Sequence, residues 1–150
     1  MSNLKQYIIP FIGLKQGKHL FEYEIDNTFF DAYGFNEFNN SSLQVTLVFE
    51  KKTTLLELNF RAKGHATVPC DITTELFDLP IDTAFRLVVK FGSEQNLDDD
   101  EILILPHGSH EIQVAQYIYE MIVLSVPQKK VHPGIAEGTL KSEILEKLKD

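Results

Sequence analysis

A single cysteine in 150 residues leaves no partner for an intramolecular disulfide, which reads as a protein of a reducing compartment. No apolar run approaches the roughly 18 residues that a membrane span needs. The start, Met1-Ser2-Asn3-Leu4-Lys5-Gln6, lacks the basic stretch and apolar run of a secretory signal. Together these absences imply a cytoplasmic protein. Cations are also scarce: 14 Lys and Arg face 22 Asp and Glu, for a net charge of −8 and a pI of about 5.1. That balance argues against generic nucleic-acid binding, which neutralises phosphates with clustered Lys and Arg, although a local basic face remains compatible with it. An acidic surface favours solubility and repels unwanted polyanions. Phosphate-cradling glycine loops, Gly-x-Ser-x-Gly elbows, His-Glu-x-x-His helices and cysteine pairs are all missing. The expectation is a non-enzymatic domain with no cofactor, no metal and no small-molecule substrate.

What is present suits one β-rich domain. The length fits a single unit, and 43% apolar residues supply one core. Tryptophan is absent, but there are eleven Phe and five Tyr, and Phe suits half-buried pleated surfaces.

Tyr7 to Ile12 is apolar but carries Pro10, so it reads as an edge strand or an extended arm. Phe21, Tyr23 and Ile25 alternate with Glu22 and Glu24. Asp26-Asn27-Thr28 offers helix-capping chemistry, with one or two turns through Phe29–Tyr33 and a stop at Gly34. The alternation of Leu43, Val45, Leu47 and Phe49, a turn at Lys51-Lys52-Thr53, and Leu56, Leu58, Phe60 and Ala62 predict a long antiparallel hairpin. Beyond Gly64, short strands are expected into Pro69-Cys70 and around Phe77, Leu79 and Ile81. Another carries Phe85, Leu87, Val89 and Phe91 on one face and Arg86 and Lys90 on the other. Ser93–Glu101 reads as an acidic loop around Asp98-Asp99-Asp100, and Ile102–Leu105 as a brief apolar run stopped by Pro106 and Gly108. A buried helix is predicted over about Gln113 to Val126, closed by Pro127. Leu140, Ile144, Leu145 and Leu148 mark a short amphipathic helix.

The expected architecture is α+β: a curled antiparallel sheet with one long packed helix and a short terminal helix. Residues 1–132 form the single β-rich domain and 133–150 a polar C-terminal extension. Ala115, Ile118, Met121 and Ile122 are expected to bury against Leu47, Leu58, Leu87 and Val89.

Chemical candidates are few. A thiol nucleophile needs a base and an electropositive setting. Cys70 instead has Asp71 beside it, so it reads as a small apolar filler. His107 and His110 are three apart but flank a Gly-Ser turn, without companion ligands. The acidic run 98–101 lacks the alternate ligands and central glycine of a calcium loop. Arg61, Lys63, Arg86 and Lys90 fall on the polar phase of predicted strands. They are either ordinary outward-facing polar residues or a basic stripe that contacts phosphates, which Lys129 and Lys130 would extend.

Three segments resemble, in order, the YceD-like family of bacterial and plastid proteins. The first is Val68-Pro69-Cys70-Asp71-Ile72-Thr73-Thr74-Glu75-Leu76, where the family usually shows Cys-x-x-Cys followed by Leu-Glu. The second is the acidic loop followed by the apolar helix. The third is Leu124-Ser125-Val126-Pro127-Gln128-Lys129-Lys130-Val131-His132, similar to the family's Leu-x-x-Pro and following His or Cys. The strand 83–92 and Ile104-Leu105-Pro106-His107-Gly108 resemble the Bacteroidetes-type variant. The motif residues are thus Pro69, Cys70, Asp71, Thr73, Pro127 and His132. Thr73 stands at the second cysteine position, so a two-cysteine ligand pair cannot form. The resemblance implies a non-catalytic ribosome-biogenesis factor supporting large-subunit ribosomal RNA accumulation, with ribosomal RNA or a large-subunit ribosomal protein as partner. The alternative is an acidic adaptor that binds a basic protein.

Overall fold

The computed structural model describes residues 4–92 and 101–127. The acidic residues 93–100, Lys129, Lys130, His132 and the expected extension 133–150 with its helix lie outside them.

The chain begins with a 3-10 turn, Leu4–Tyr7, then β1 (Ile8–Ile9), β2 (Gly17–Ile25), α1 (Asn27–Asp31), β3 (Asn40–Lys51), β4 (Leu55–Pro69), β5 (Leu76–Phe91), β6 (Ile102–Leu105), β7 (Ile112–Gln113) and α2 (Ala115–Ser125). The main sheet has the order β2-β3-β4-β5-β6, and β1 pairs with β7 in a small second sheet. The expected edge segment at Tyr7–Ile12 is therefore a short strand at Ile8–Ile9. The hairpin is present as β3–β4, with Phe49 opposite Leu58 and Leu43 opposite Gly64.

Three expectations need correction. The strands expected on either side of Gly64 are one strand, β4, and those around Phe77–Ile81 and Phe85–Phe91 are one sixteen-residue strand, β5. The parity of the apolar positions does not change between Phe77 and Val89, so one pleat accommodates them all. The sheet is also mixed. β2 to β5 run antiparallel, but β6 is parallel to β5, with Val88 beside Ile102 and Phe91 beside Leu105. The curled-sheet expectation holds only in part, because the sheet is open, with β2 and β6 at its ends. Finally, Gln113 belongs to β7 and the long helix starts at Ala115.

Gly64 explains how β4 passes its apparent break. Its φ is +153°, and a Cβ there would collide with the Ser42 carbonyl oxygen and sit 2.7 Å from the Leu43 Cα. A glycine inside a strand marks such a close backbone approach.

The core lies between the inner face of the sheet and α2. Leu47, Phe49, Leu58, Phe60, Leu87 and Val89 are buried, as are Ala115, Ile118, Met121 and Ile122 on one face of α2. The helix packs on β4 and β5. Burying each such side chain contributes roughly 1.5–3 kcal/mol. At the other end, Asp26 caps α1 by accepting from the Thr28 N–H at 2.9 Å, and Gly34 ends the following turn at φ +72°. Phe29, Phe30, Phe38 and Tyr119 gather beside it, with Tyr33 stacked on Tyr119 at 4.3 Å. The Tyr7 and Tyr23 rings stack at 4.7 Å, and burial pushes both hydroxyls up to about 12. Among the described residues, no helix is long and apolar enough to cross a membrane.

Candidate partner-binding surfaces

The first candidate is the motif loop. β4 ends at Pro69, and the chain reverses through Cys70–Glu75 into β5. The Cys70 N–H donates to the Glu75 carbonyl at 2.8 Å, and the Thr74 N–H donates to the Cys70 carbonyl at 2.9 Å. The Cys70 Sγ accepts from the Ile72 N–H at 3.4 Å, and the Thr73 Oγ1 accepts from the Glu75 N–H at 3.4 Å. Each side chain thus holds the amide two residues on, which is turn chemistry that Thr supplies as well as Cys. Thr74 adopts a left-handed φ of 63°. Cys70 is 1% exposed, and Asp71 points outward. At the far motif, Pro127 follows the last turn of α2, which Ser125 closes by donating to the Ile122 carbonyl at 2.6 Å.

The second candidate is the outward sheet face. The strand register aligns Asn59 with Arg86, Arg61 with Ala84, Lys63 with Asp82 and Leu55 with Lys90. Arg61, Lys63, Arg86 and Lys90 therefore share the face turned away from α2, and all four are exposed. They are not an uninterrupted basic stripe. Arg61 donates to Asp82 at 3.2 and 3.3 Å. Arg86 Nε donates to Glu57 at 3.2 Å, and Lys52 pairs with the same carboxylate. Lys52 first, then Arg86, holds the Glu57 carboxyl down at about 2. Arg61 likewise lowers Asp82. Glu22, Glu24, Glu50 and Asp78 lie on the same face by register. Lys63 and Lys90 have no ion pair among the described residues.

The third surface was not visible in the strand pattern. An apolar groove of about 630 Å³ runs between α2 and the β5–β6 end of the sheet. Phe85, Leu87, Leu103, Tyr117, Met121 and Leu124 form its walls, and among the described residues Glu120 is its one charged lining residue. Leu124 is 81% exposed. The helical spacing of α2 marked its buried face, but nothing local showed that the described residues would leave a groove beside its last turn.

His107 sits on an exposed turn, and His110 lies 3.8 Å from Glu111. Among the described residues, no group of three or more His, Cys, Asp or Glu could hold a metal ion.

No curated protein and no solved structure matches the chain. The family model for the large ribosomal RNA subunit accumulation protein YceD matches residues 58–149. That stretch takes in most of β4, the Cys70–Glu75 loop, β5, β6 and α2. With the motif loop, the parallel β6 and the packed α2 inside one match covering more than half its length, the chain belongs to the YceD family.

Proposed function

We propose that this protein is a non-catalytic ribosome-biogenesis factor of the cytoplasm that supports accumulation of large-subunit ribosomal RNA. It does so by binding that RNA or a large-subunit ribosomal protein. The observation that carries the reading is the family match across the motif loop and α2. Deleting the gene is expected to lower large-subunit ribosomal RNA and deplete large-subunit particles, and the protein should co-sediment with their precursors. Unchanged ribosome profiles and RNA levels would end this reading.

The form in which RNA is contacted directly assigns phosphate binding to Arg61, Lys63, Arg86 and Lys90, with Lys129 and Lys130. Lys63 and Lys90 carry most of the weight, because carboxylates already hold Arg61 and Arg86. Reversing Lys63 and Lys90 to Glu should weaken RNA binding and flatten its salt dependence by about one counterion for each phosphate no longer neutralised. Binding that survives the reversal, with its salt slope unchanged, would move the contact to a protein. A basic protein partner is favoured by a separate observation: the net charge of −8 and an apolar groove whose only charged lining residue among the described residues is acidic.

A further inference from the structure

β5 has sixteen residues, but β6 pairs only with its last four, Val88 to Phe91. The β4–β5 register is continuous from Leu55–Lys90 to Pro69–Leu76, with no bulge to change the direction of the backbone groups. The Val88 N–H donates to the Glu101 carbonyl on the β6 side at 2.8 Å. Backbone groups alternate sides along a strand, so Asp82, Ala84 and Arg86 also turn their N–H and C=O groups away from β4. No described strand pairs with them. Pro80 has the same parity, so its missing N–H falls on this open side, where a mid-strand proline is tolerated. The open edge thus runs from Pro80 to Arg86. The groove of Phe85, Leu87, Tyr117 and Met121 opens beneath it.

We infer that this edge and groove accept one extended segment of a basic protein partner, which adds a strand to β5 in continuation of β6. The inference rests on the protein-partner form of the proposed function. The main-chain groups of Asp82, Ala84 and Arg86 supply the ladder for a strand of about six residues, and alternate side chains of the guest enter the groove. Those side chains are aliphatic, because the walls are apolar. The flanking residues are basic, because Glu120 is held only by the Gln116 amide at 3.1 Å and has no cation beside it among the described residues. RNA fits this place poorly: among the described residues no cation lines the groove.

The test uses the full chain and a short synthetic peptide of alternating lysine and valine, followed by amide hydrogen exchange and by titration. In the isolated chain the Ala84 and Arg86 amides should exchange fast, and saturating peptide should slow them at least about tenfold. Ala84→Pro removes a donor from the open edge, and Leu124→Lys places a cation at the groove in a position 81% exposed. Each should raise the peptide Kd about tenfold, the size of effect expected when one favourable interaction is removed. Leu124→Lys keeps the test decisive if the proline variant fails to fold. An analogue with glutamate for lysine should bind more weakly than the parent peptide. Amides already protected without peptide would mean that the chain or a second copy covers the edge, and would overturn the proposal. Absent binding, or binding unaffected by Leu124→Lys, would also overturn it. Ribosomal RNA levels after gene deletion are a separate readout, so the family role can stand while this site falls.

Discussion

Gly64 is the position where a single side-chain atom decides whether β4 stays whole. Its backbone lies too close to Ser42 and Leu43 for any Cβ, at a φ that L-residues rarely adopt. Gly64→Ala should cost about 3 kcal/mol through strain and overpacking, read as a lower midpoint in urea with an unchanged slope. Cys70 behaves differently. Its sulfur is buried and accepts a long hydrogen bond from the Ile72 N–H within its own turn. Cys70→Ser keeps an acceptor but places a hydroxyl in an apolar site, at a cost of about 1–2 kcal/mol. Thermal melting should show that modest destabilisation, with association to large-subunit precursors retained. Failure to associate, with an intact fold, would give the thiol a function of its own. The sequence made Cys70 a filler beside an acid, and Thr73 a substituted ligand position. It did not show that the Thr73 hydroxyl repeats the acceptor role of the Cys70 sulfur, because that depends on how the loop closes.

At the scale of elements, α2 is where sequence and structure agree most closely. Its buried residues recur at helical spacing, which is a local property, and they meet the inward residues of β4 and β5. Ile118 is fully buried. Ile118→Asp would leave a carboxylate there without a partner, at a cost of several kcal/mol against a domain stability of about 5–15. The expected outcome is loss of the cooperative transition in a thermal melt. A melt close to wild type would refute this packing. The strands were legible in phase but not in length. Gly64, Pro80 and the weakly apolar stretch at Asp82–Ala84 look like ends when read locally, yet register with β4 carries β5 through them. Pro80 was also the one local signal of an open edge.

Across the whole molecule, charge is organised by pairing rather than by sequence blocks. Arg86 meets Glu57 from 29 positions away and Arg61 meets Asp82 from 21. This pairing has a pH consequence. The Glu57 carboxyl is held at about 2, below its ordinary 4.5. A depressed carboxylate contributes stability that is present above the ordinary value and is lost as pH falls through the lowered one. The wild type should therefore lose this contribution between about pH 4.5 and 2, whereas Glu57→Gln lacks it throughout. Melting temperatures of the two proteins should differ at about pH 7 and converge near the lowered value of about 2. A gap that stays constant across that range would show that the pairing does not stabilise the fold.

The sequence by itself determined which residues face inward, that one helix packs on a sheet, and which segments carry the family motifs, because alternation and helical spacing act between near neighbours. The tertiary structure decided the parallel direction of β6, the unbroken β4 and β5, the carboxylates that interleave the basic residues, and the open edge beside the groove. Each of these depends on which distant strand lies alongside. That choice is made by backbone hydrogen bonding between segments far apart in the chain, which no local pattern encodes.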